Sequence, residues 1–153
     1  MIYVLTGAIQ TGKTSALIKW CEGRNDVFGI FTPVVNGKRF FMDARTKKQF
    51  QMEANDNEKE TISIGRFDFS KVSFEKAIKI VRDEMNKKGW LVIDEIGPLE
   101  LRKEGFHNVI RQVLKSSSSQ LLFVVREGLV DKVTELFELE QFDIITKEKL
   151  KEL

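Results

Sequence analysis

The sequence has little of what anchors small extracellular folds or metal clusters: one cysteine, one histidine, two prolines and one tyrosine among 153 residues. With Cys21 alone, an internal disulfide is excluded, so nothing supports a secreted context and a reducing compartment is the expectation. His107, without a second histidine or a cysteine set, argues against a zinc site and reads as a packing or surface residue. No apolar run approaches the ~20 residues needed to cross a bilayer. Met1 to Leu5 is apolar, but it is much shorter than a signal peptide and has no basic start, so it reads as a buried first strand. A cytoplasmic location with no membrane partner is expected. An excess of one charge is missing too, since 25 basic and 23 acidic side chains leave a net +2. The one basic cluster, Arg45 to Lys48, lies between two strand-like runs as a solvated turn. A nucleic-acid partner, which calls for a clustered basic face, is not expected.

What is present is an ordinary globular composition, 42% hydrophobic and 31% charged, in a chain of single-domain length spanning residues 1–153. Apolar runs at Met1–Thr6, Trp90–Ile93 and Leu121–Val125 have the continuous character of strands covered on both faces. Helical periodicity runs from about Lys13 to Glu22, from Ser73 (as cap) through Met85, across Phe106 to Leu114, and from Val130 to Phe137. Phe142–Ile145 is a last short strand, followed by a terminal helix capped by Thr146. Between the first two helices the pattern changes. Phe28–Val35, the Asn36-Gly37 turn signal, Phe40–Met42 and Gln49–Met52 predict an antiparallel meander. Glu53–Glu60 is a polar loop, and Ile62, Ile64 and Phe67 predict one more short strand. Gly97-Pro98 predicts a turn. The fold class is therefore α/β: a mostly parallel central sheet with helices on both faces and an antiparallel meander at one edge.

The first chemical signal is Gly7-Ala8-Ile9-Gln10-Thr11-Gly12-Lys13-Thr14, which matches G-x-x-x-x-G-K-[ST] in full between an apolar strand and a helix. Average composition would produce this pattern by chance in fewer than about one in a hundred chains of this length. Glycines let the backbone curl so that successive N–H groups face phosphate oxygens, and the following helix adds the positive end of its dipole. Lys13 supplies a point charge for the β and γ phosphates, and Thr14 a hydroxyl for magnesium. Ser15 completes the candidate binding segment.

Such a loop needs a carboxylate at the end of another parallel strand to complete the magnesium site. Trp90–Ile93 leads into Asp94, which fills that role, and into Glu95, placed to take a proton from a water attacking the γ phosphate. The expectation is a magnesium-dependent hydrolase of ATP or another nucleoside triphosphate. No N-K-x-D guanine signature is found, because Asn86-Lys87-Lys88-Gly89 ends wrongly and precedes a strand. A dedicated GTPase is therefore not expected.

With these motifs in place, the chain resembles the THEP1-type nucleoside-triphosphatase family. Asp94-Glu95-Ile96-Gly97-Pro98-Leu99-Glu100-Leu101 is similar to that family's DEIG-x-[ML]-EL stretch, and Thr6–Thr14 to its first motif. Gly37-Lys38-Arg39-Phe40 resembles its meander, and Val125-Arg126-Glu127 its late strand end. Gln10 stands where the family often has glycine, and Glu53–Phe69 is only loosely similar. The resemblance implies a RecA-like sheet and slow, magnesium-dependent hydrolysis with little base preference.

Arg126, just past an apolar strand, can serve as an internal arginine finger or pair with Glu127 or another acid. With Lys13 and Glu95 it completes the candidate catalytic set. Arg39 is a weaker candidate. Two rival functions share the scaffold: a small-molecule kinase, which would need an acceptor pocket, and a nucleotide-dependent switch using the meander as its contact surface.

Overall fold

The computed structural model describes residues 1–8 and 11–153, so Ile9 and Gln10 of the phosphate loop lie outside the described residues. Five strands form the parallel part of the sheet: β1 (Ile2–Leu5), β2 (Val27–Phe31), β8 (Trp90–Ile96), β9 (Gln120–Val125) and β10 (Asp143–Ile145). Their order across the sheet is β10-β1-β9-β8-β2. The chain passes from β1 to β2 leaving a gap of two strands, which β8 and β9 later fill, each pairing parallel with its neighbours. The antiparallel annex follows β2: β4 (Lys38–Asp43) pairs with β2, and β3 (Val34–Val35) and β5 (Gln49–Gln51) pair with β4. A separate hairpin joins β6 (Thr61–Ile64) to β7 (Phe67–Ser70).

Side-chain alternation splits the core in two. On one face, Leu17 and Cys21 of α1 (Lys13–Cys21) and Leu150 of the terminal 3₁₀ helix (Lys147–Glu152) pack on Leu5, Val27, Phe31, Val92 and Val124. On the other lie α2 (Lys71–Glu84), α4 (His107–Ser116) and α5 (Val130–Leu136), which bury Phe74, Ala77, Val81, Val109, Ile110 and Val133 against Ile30, Leu91, Ile93 and Phe123. Close packing of β2 on β8 depends on Gly29, whose φ is +106° and where a Cβ would overlap the Val92 carbonyl oxygen. Only glycine tolerates both conditions.

The structure refines the sequence expectations at several points. The Phe28–Val35 run divides at Thr32-Pro33, where proline interrupts the ladder: β2 before it pairs parallel with β8 and, at Ile30 and Phe31, antiparallel with β4, whereas β3 after it pairs with β4. The single short strand expected around Ile62–Phe67 is a hairpin turning at Gly65-Arg66. The cap of α2 is Ser70 rather than Ser73. β7 runs directly into the helix, so the Ser70 hydroxyl accepts from the Ser73 N–H at 3.2 Å, while the Ser73 hydroxyl donates to the Gln51 carbonyl at 2.6 Å. Pro98 does not form a simple turn; it opens a short helix, α3 (Pro98–Leu101), at the first position, where its missing N–H costs nothing. No helix among the described residues is long and apolar enough to cross a membrane.

Candidate functional site

The carboxyl ends of four parallel strands converge on one crevice, the place where open α/β sheets hold ligands. β1 delivers the phosphate loop, β9 delivers Arg126, β8 delivers Asp94 and Glu95, and β2 delivers Thr32. Gly12 sits in the left-handed region (φ +82°) at the start of α1, and its carbonyl accepts from the Ala16 N–H at 2.9 Å, which launches the helix directly out of the loop. Lys13 is nearly buried, and its ammonium donates to the Gly7 and Ala8 carbonyls at 3.0 and 3.1 Å. The Thr11 hydroxyl donates to the same Ala8 carbonyl at 2.7 Å. From the far end of the chain the Lys147 ammonium donates to the Thr11 carbonyl. No pattern in the sequence announces this last contact, because only the pairing of β10 with β1 brings residue 147 to the loop.

Asp94 is 1% exposed. Its Oδ2 accepts from the Thr14 hydroxyl at 2.7 Å and from the Thr32 N–H at 3.0 Å. The two candidate magnesium ligands, 80 residues apart in sequence, are thus in direct contact. Burial pushes the Asp94 carboxyl up to about 6 despite the hydrogen bonds from Thr14 and Thr32, which favour the ionised form. No cationic side chain among the described residues lies within 4.0 Å of it.

Glu95 owes its position to an irregularity. Asp94 pairs with Val124 and Ile96 with Val125, so β8 carries one residue more than β9 over this step, and Glu95 is the surplus. Such bulges re-aim a side chain at the end of a ladder. The Glu95 carboxylate lies 3.8 Å from the Arg126 guanidinium Nε, an atom that has no hydrogen-bond partner although it is buried. Arg126 therefore faces Glu95 and not the exposed Glu127. Thr32, just after β2, was missed as a site residue; the rule that singled out Arg126, a polar residue immediately past an apolar parallel strand, would have found it.

Two cavities meet at Glu95. The first, about 390 Å³, is lined by Thr11 to Ser15, Thr32, Pro33, Val34, Arg39, Glu95 and Arg126. The second, about 340 Å³, shares Thr32, Arg39, Glu95 and Arg126 but is otherwise walled by the β6–β7 hairpin, α3 and the phenylalanines of the core. A third hollow, about 300 Å³, lies on the other flank of the loop between Thr6–Ala8 and Thr146–Glu148.

Glu100 braces the floor of this region. Its Oε1 accepts from the Gly97 N–H at 2.9 Å and its Oε2 from the Phe106 N–H at 3.0 Å. Burial nevertheless raises its carboxyl to about 7. His107 packs as a structural residue: one ring nitrogen lies 3.0 Å from the Glu100 carbonyl, the other accepts from Arg111 at 3.1 Å, and the ring rests on Phe137. No group of three or more His, Cys, Asp or Glu side chains able to hold a metal ion is found among the described residues.

Comparison with known proteins agrees with this architecture. A family model described as NTPase matches residues 2–152. The nucleoside-triphosphatase THEP1 of Saccharolobus solfataricus is 30% identical over 120 residues, covering 73% of this chain and 69% of that protein. The crystal structure of THEP1 from the hyperthermophile Aquifex aeolicus shares the fold with a TM-score of 0.76 at 21% identity, over 97% of this chain and 92% of that one. The solution structure of a human cancer-related nucleoside triphosphatase does so with a TM-score of 0.73 at 20% identity, over 99% and 93%. With the phosphate loop, the Asp94-Glu95 strand end and the order of the parallel strands all in place, the chain belongs to the THEP1-type NTPase family.

Proposed function

We propose that this protein is a magnesium-dependent nucleoside triphosphatase that releases the γ phosphate, slowly and with broad base tolerance. The observation that carries the reading is the contact between Thr14 and the buried Asp94 at 2.7 Å, which joins the two motifs in one site. The donor set fits magnesium. A hydroxyl and a carboxylate are hard oxygen ligands, and magnesium at such sites is bound by one or two protein groups together with substrate phosphates. A buried carboxylate with no cationic neighbour also gains from a divalent ion, which would favour its ionised form. Magnesium, when bound, neutralises charge on the phosphates.

The protein's own groups divide the remaining work. The backbone N–H groups of the loop segment Gly7–Ser15, together with Lys13, hold the phosphates. Lys13 leaves the Gly7 and Ala8 carbonyls to do so, exchanging neutral acceptors for charged ones. Glu95 orients the attacking water and takes its proton. Arg126, with its unpartnered buried Nε, turns from Glu95 toward charge developing on the γ phosphate. The ion pair between Glu95 and Arg126 must loosen before both act, which supports a slow rate. Broad base tolerance is supported by the hollow beside Thr146–Glu148, whose lining is backbone, hydroxyls and flexible charged chains, with no aromatic plane among the described residues. The single cysteine supports placing the activity in the cytoplasm.

Phosphate release from ATP, GTP, CTP and UTP, measured with and without magnesium, tests the proposal. Similar, magnesium-dependent turnover of all four is expected. Turnover that survives chelation, or a strong preference for one base, would count against it.

A further inference from the structure

The second cavity is larger than an attacking water requires. It begins at Glu95 and Arg126 and continues away from the phosphate loop, under the β6–β7 hairpin. Its walls are aromatic: Phe67 and Phe69 are stacked 7° from parallel with centroids 5.7 Å apart, and Phe74 and Phe106 continue the surface inward. Polar groups cluster at its two ends, apart from Glu100 in the floor, whose carboxyl oxygens are taken by the Gly97 and Phe106 N–H groups. At the inner end Glu95 and Arg126 face the phosphate side. At the rim, Arg39 and Arg66 lay their guanidinium groups over the Phe67 ring, at 4.7 and 5.0 Å from its centroid. Neither makes an ion pair with a carboxylate within 4.0 Å among the described residues. A volume of about 340 Å³ falls within the range of small-molecule pockets, which are mostly apolar with a few placed polar groups.

We propose that this cavity binds a second substrate, a planar aromatic alcohol of one or two rings bearing an anionic substituent, and that the γ phosphate is transferred to its hydroxyl. The proposal rests on the reading that the loop and Lys13 hold a triphosphate. Each part of the ligand answers a feature of the wall. A flat ring matches the phenylalanine surfaces and gains from stacking on them. A hydroxyl, rather than a carboxylate or phosphate, suits the inner end, because a second anion there would face Glu95. The anionic substituent meets Arg39 and Arg66, which are unmatched at the rim. In the transfer the hydroxyl oxygen attacks the γ phosphorus and its proton passes to the Glu95 carboxylate. The bond from the γ phosphorus to the β–γ bridging oxygen breaks, and the nucleoside diphosphate leaves with that electron pair. The products are a phosphomonoester and a nucleoside diphosphate in equal amounts. Hydrolysis is then the same step with water in place of the alcohol.

The test uses the full chain, magnesium, ATP labelled on the γ phosphate, and three probes: 4-(hydroxymethyl)benzoate, pyridoxine and benzyl alcohol. Labelled phosphomonoester formed together with ADP is expected, most of all from the carboxylate-bearing probe. Ile64→Trp, which places an indole in the cavity, is expected to lower transfer at least tenfold relative to phosphate release. Arg66→Ala, an exposed position on the hairpin turn, should reduce the advantage of 4-(hydroxymethyl)benzoate over benzyl alcohol several-fold, Arg39 remaining in place. Release of inorganic phosphate with no labelled ester from any probe overturns the acceptor site while leaving the hydrolase reading intact. Equal transfer by wild type and Ile64→Trp overturns it as well. Failure to bind ATP at all brings down the phosphate-loop reading, and this proposal with it.

Discussion

The two walls that meet at Glu95 are built on different principles. Toward the phosphate loop, the side chains are polar and hold one another: Lys13 on loop carbonyls, Thr14 on Asp94, Asp94 on the Thr32 N–H. Toward the annex, the wall is phenylalanine. Behind that wall lies Phe41, with rings of Phe50, Phe74 and Phe106 at 5.6, 5.0 and 5.9 Å. The polar wall contributes little apolar burial and stores chemistry; the aromatic wall carries much of the packing energy. The difference teaches that the polar groups of the phosphate side and the packing of the core are largely segregated across a distance of one side chain, and substitutions can pull them apart.

The largest effect should come from Lys13→Ala. Removing this charge is expected to abolish nucleotide binding in a fluorescent-analogue titration and lower phosphate release by on the order of 10³-fold, with the melting temperature little changed. Unfolding of this variant would break the comparison at once. Glu95→Gln should come next: nucleotide affinity is retained, and single-turnover hydrolysis falls by about 10²-fold or more, the usual contribution of a general base. Normal hydrolysis by Glu95→Gln would remove the base from the mechanism and leave only positioning.

Phe41→Ala tests the packing behind the other wall. Phe41 is fully buried, and truncating such a ring costs about 3–5 kcal/mol, read by denaturant unfolding, while the folded fraction should bind nucleotide as before. The smallest effect concerns Glu100, in the floor of the aromatic cavity. Its folded-state value of about 7 lies above the ordinary 4.5, so the folded chain keeps the proton more tightly than the unfolded chain. Its contribution to stability is therefore full below about pH 4.5 and is lost as pH rises through about 7, by no more than about 3 kcal/mol. Denaturant midpoints measured between pH 5 and 8 should fall with rising pH, and Glu100→Gln, which cannot ionise, should flatten that slope.

The same division separates what could be read in the sequence from what could not. Continuous apolar runs mark β1, β8 and β9 because strands buried on both faces leave no room for polar residues. The loop motif and Asp94-Glu95 are legible because the chemistry proposed for them demands fixed residue types beside such strands. The annex was read less well. Thr32-Pro33 breaks what looks like one strand, and Ser70 displaces Ser73 as a cap, since local signals there are weak and tertiary pairing decides between near-equal alternatives. The long-range contacts were invisible: Lys147 at the loop and Thr32 on Asp94 arise from sheet order, which no window of sequence contains. The aromatic cavity was likewise hidden. Its phenylalanines look like core residues, and most of them are core; what makes them a wall is the hairpin folded over them.

One consequence of the strand order concerns time. β1 and β8 carry the two halves of the proposed phosphate site, yet they are not neighbours; β9 lies between them. A ribosome finishes the loop and Asp94-Glu95 well before it reaches Gln120–Val125. Until that strand slides into its slot, both motifs exist and the pocket does not. A polypeptide stopped at residue 119 would carry every residue of the Thr14–Asp94 pair and still lack the spacer that sets them 2.7 Å apart. That late strand thus acts as a keystone: the Thr14–Asp94 contact waits for a segment made after both of its partners.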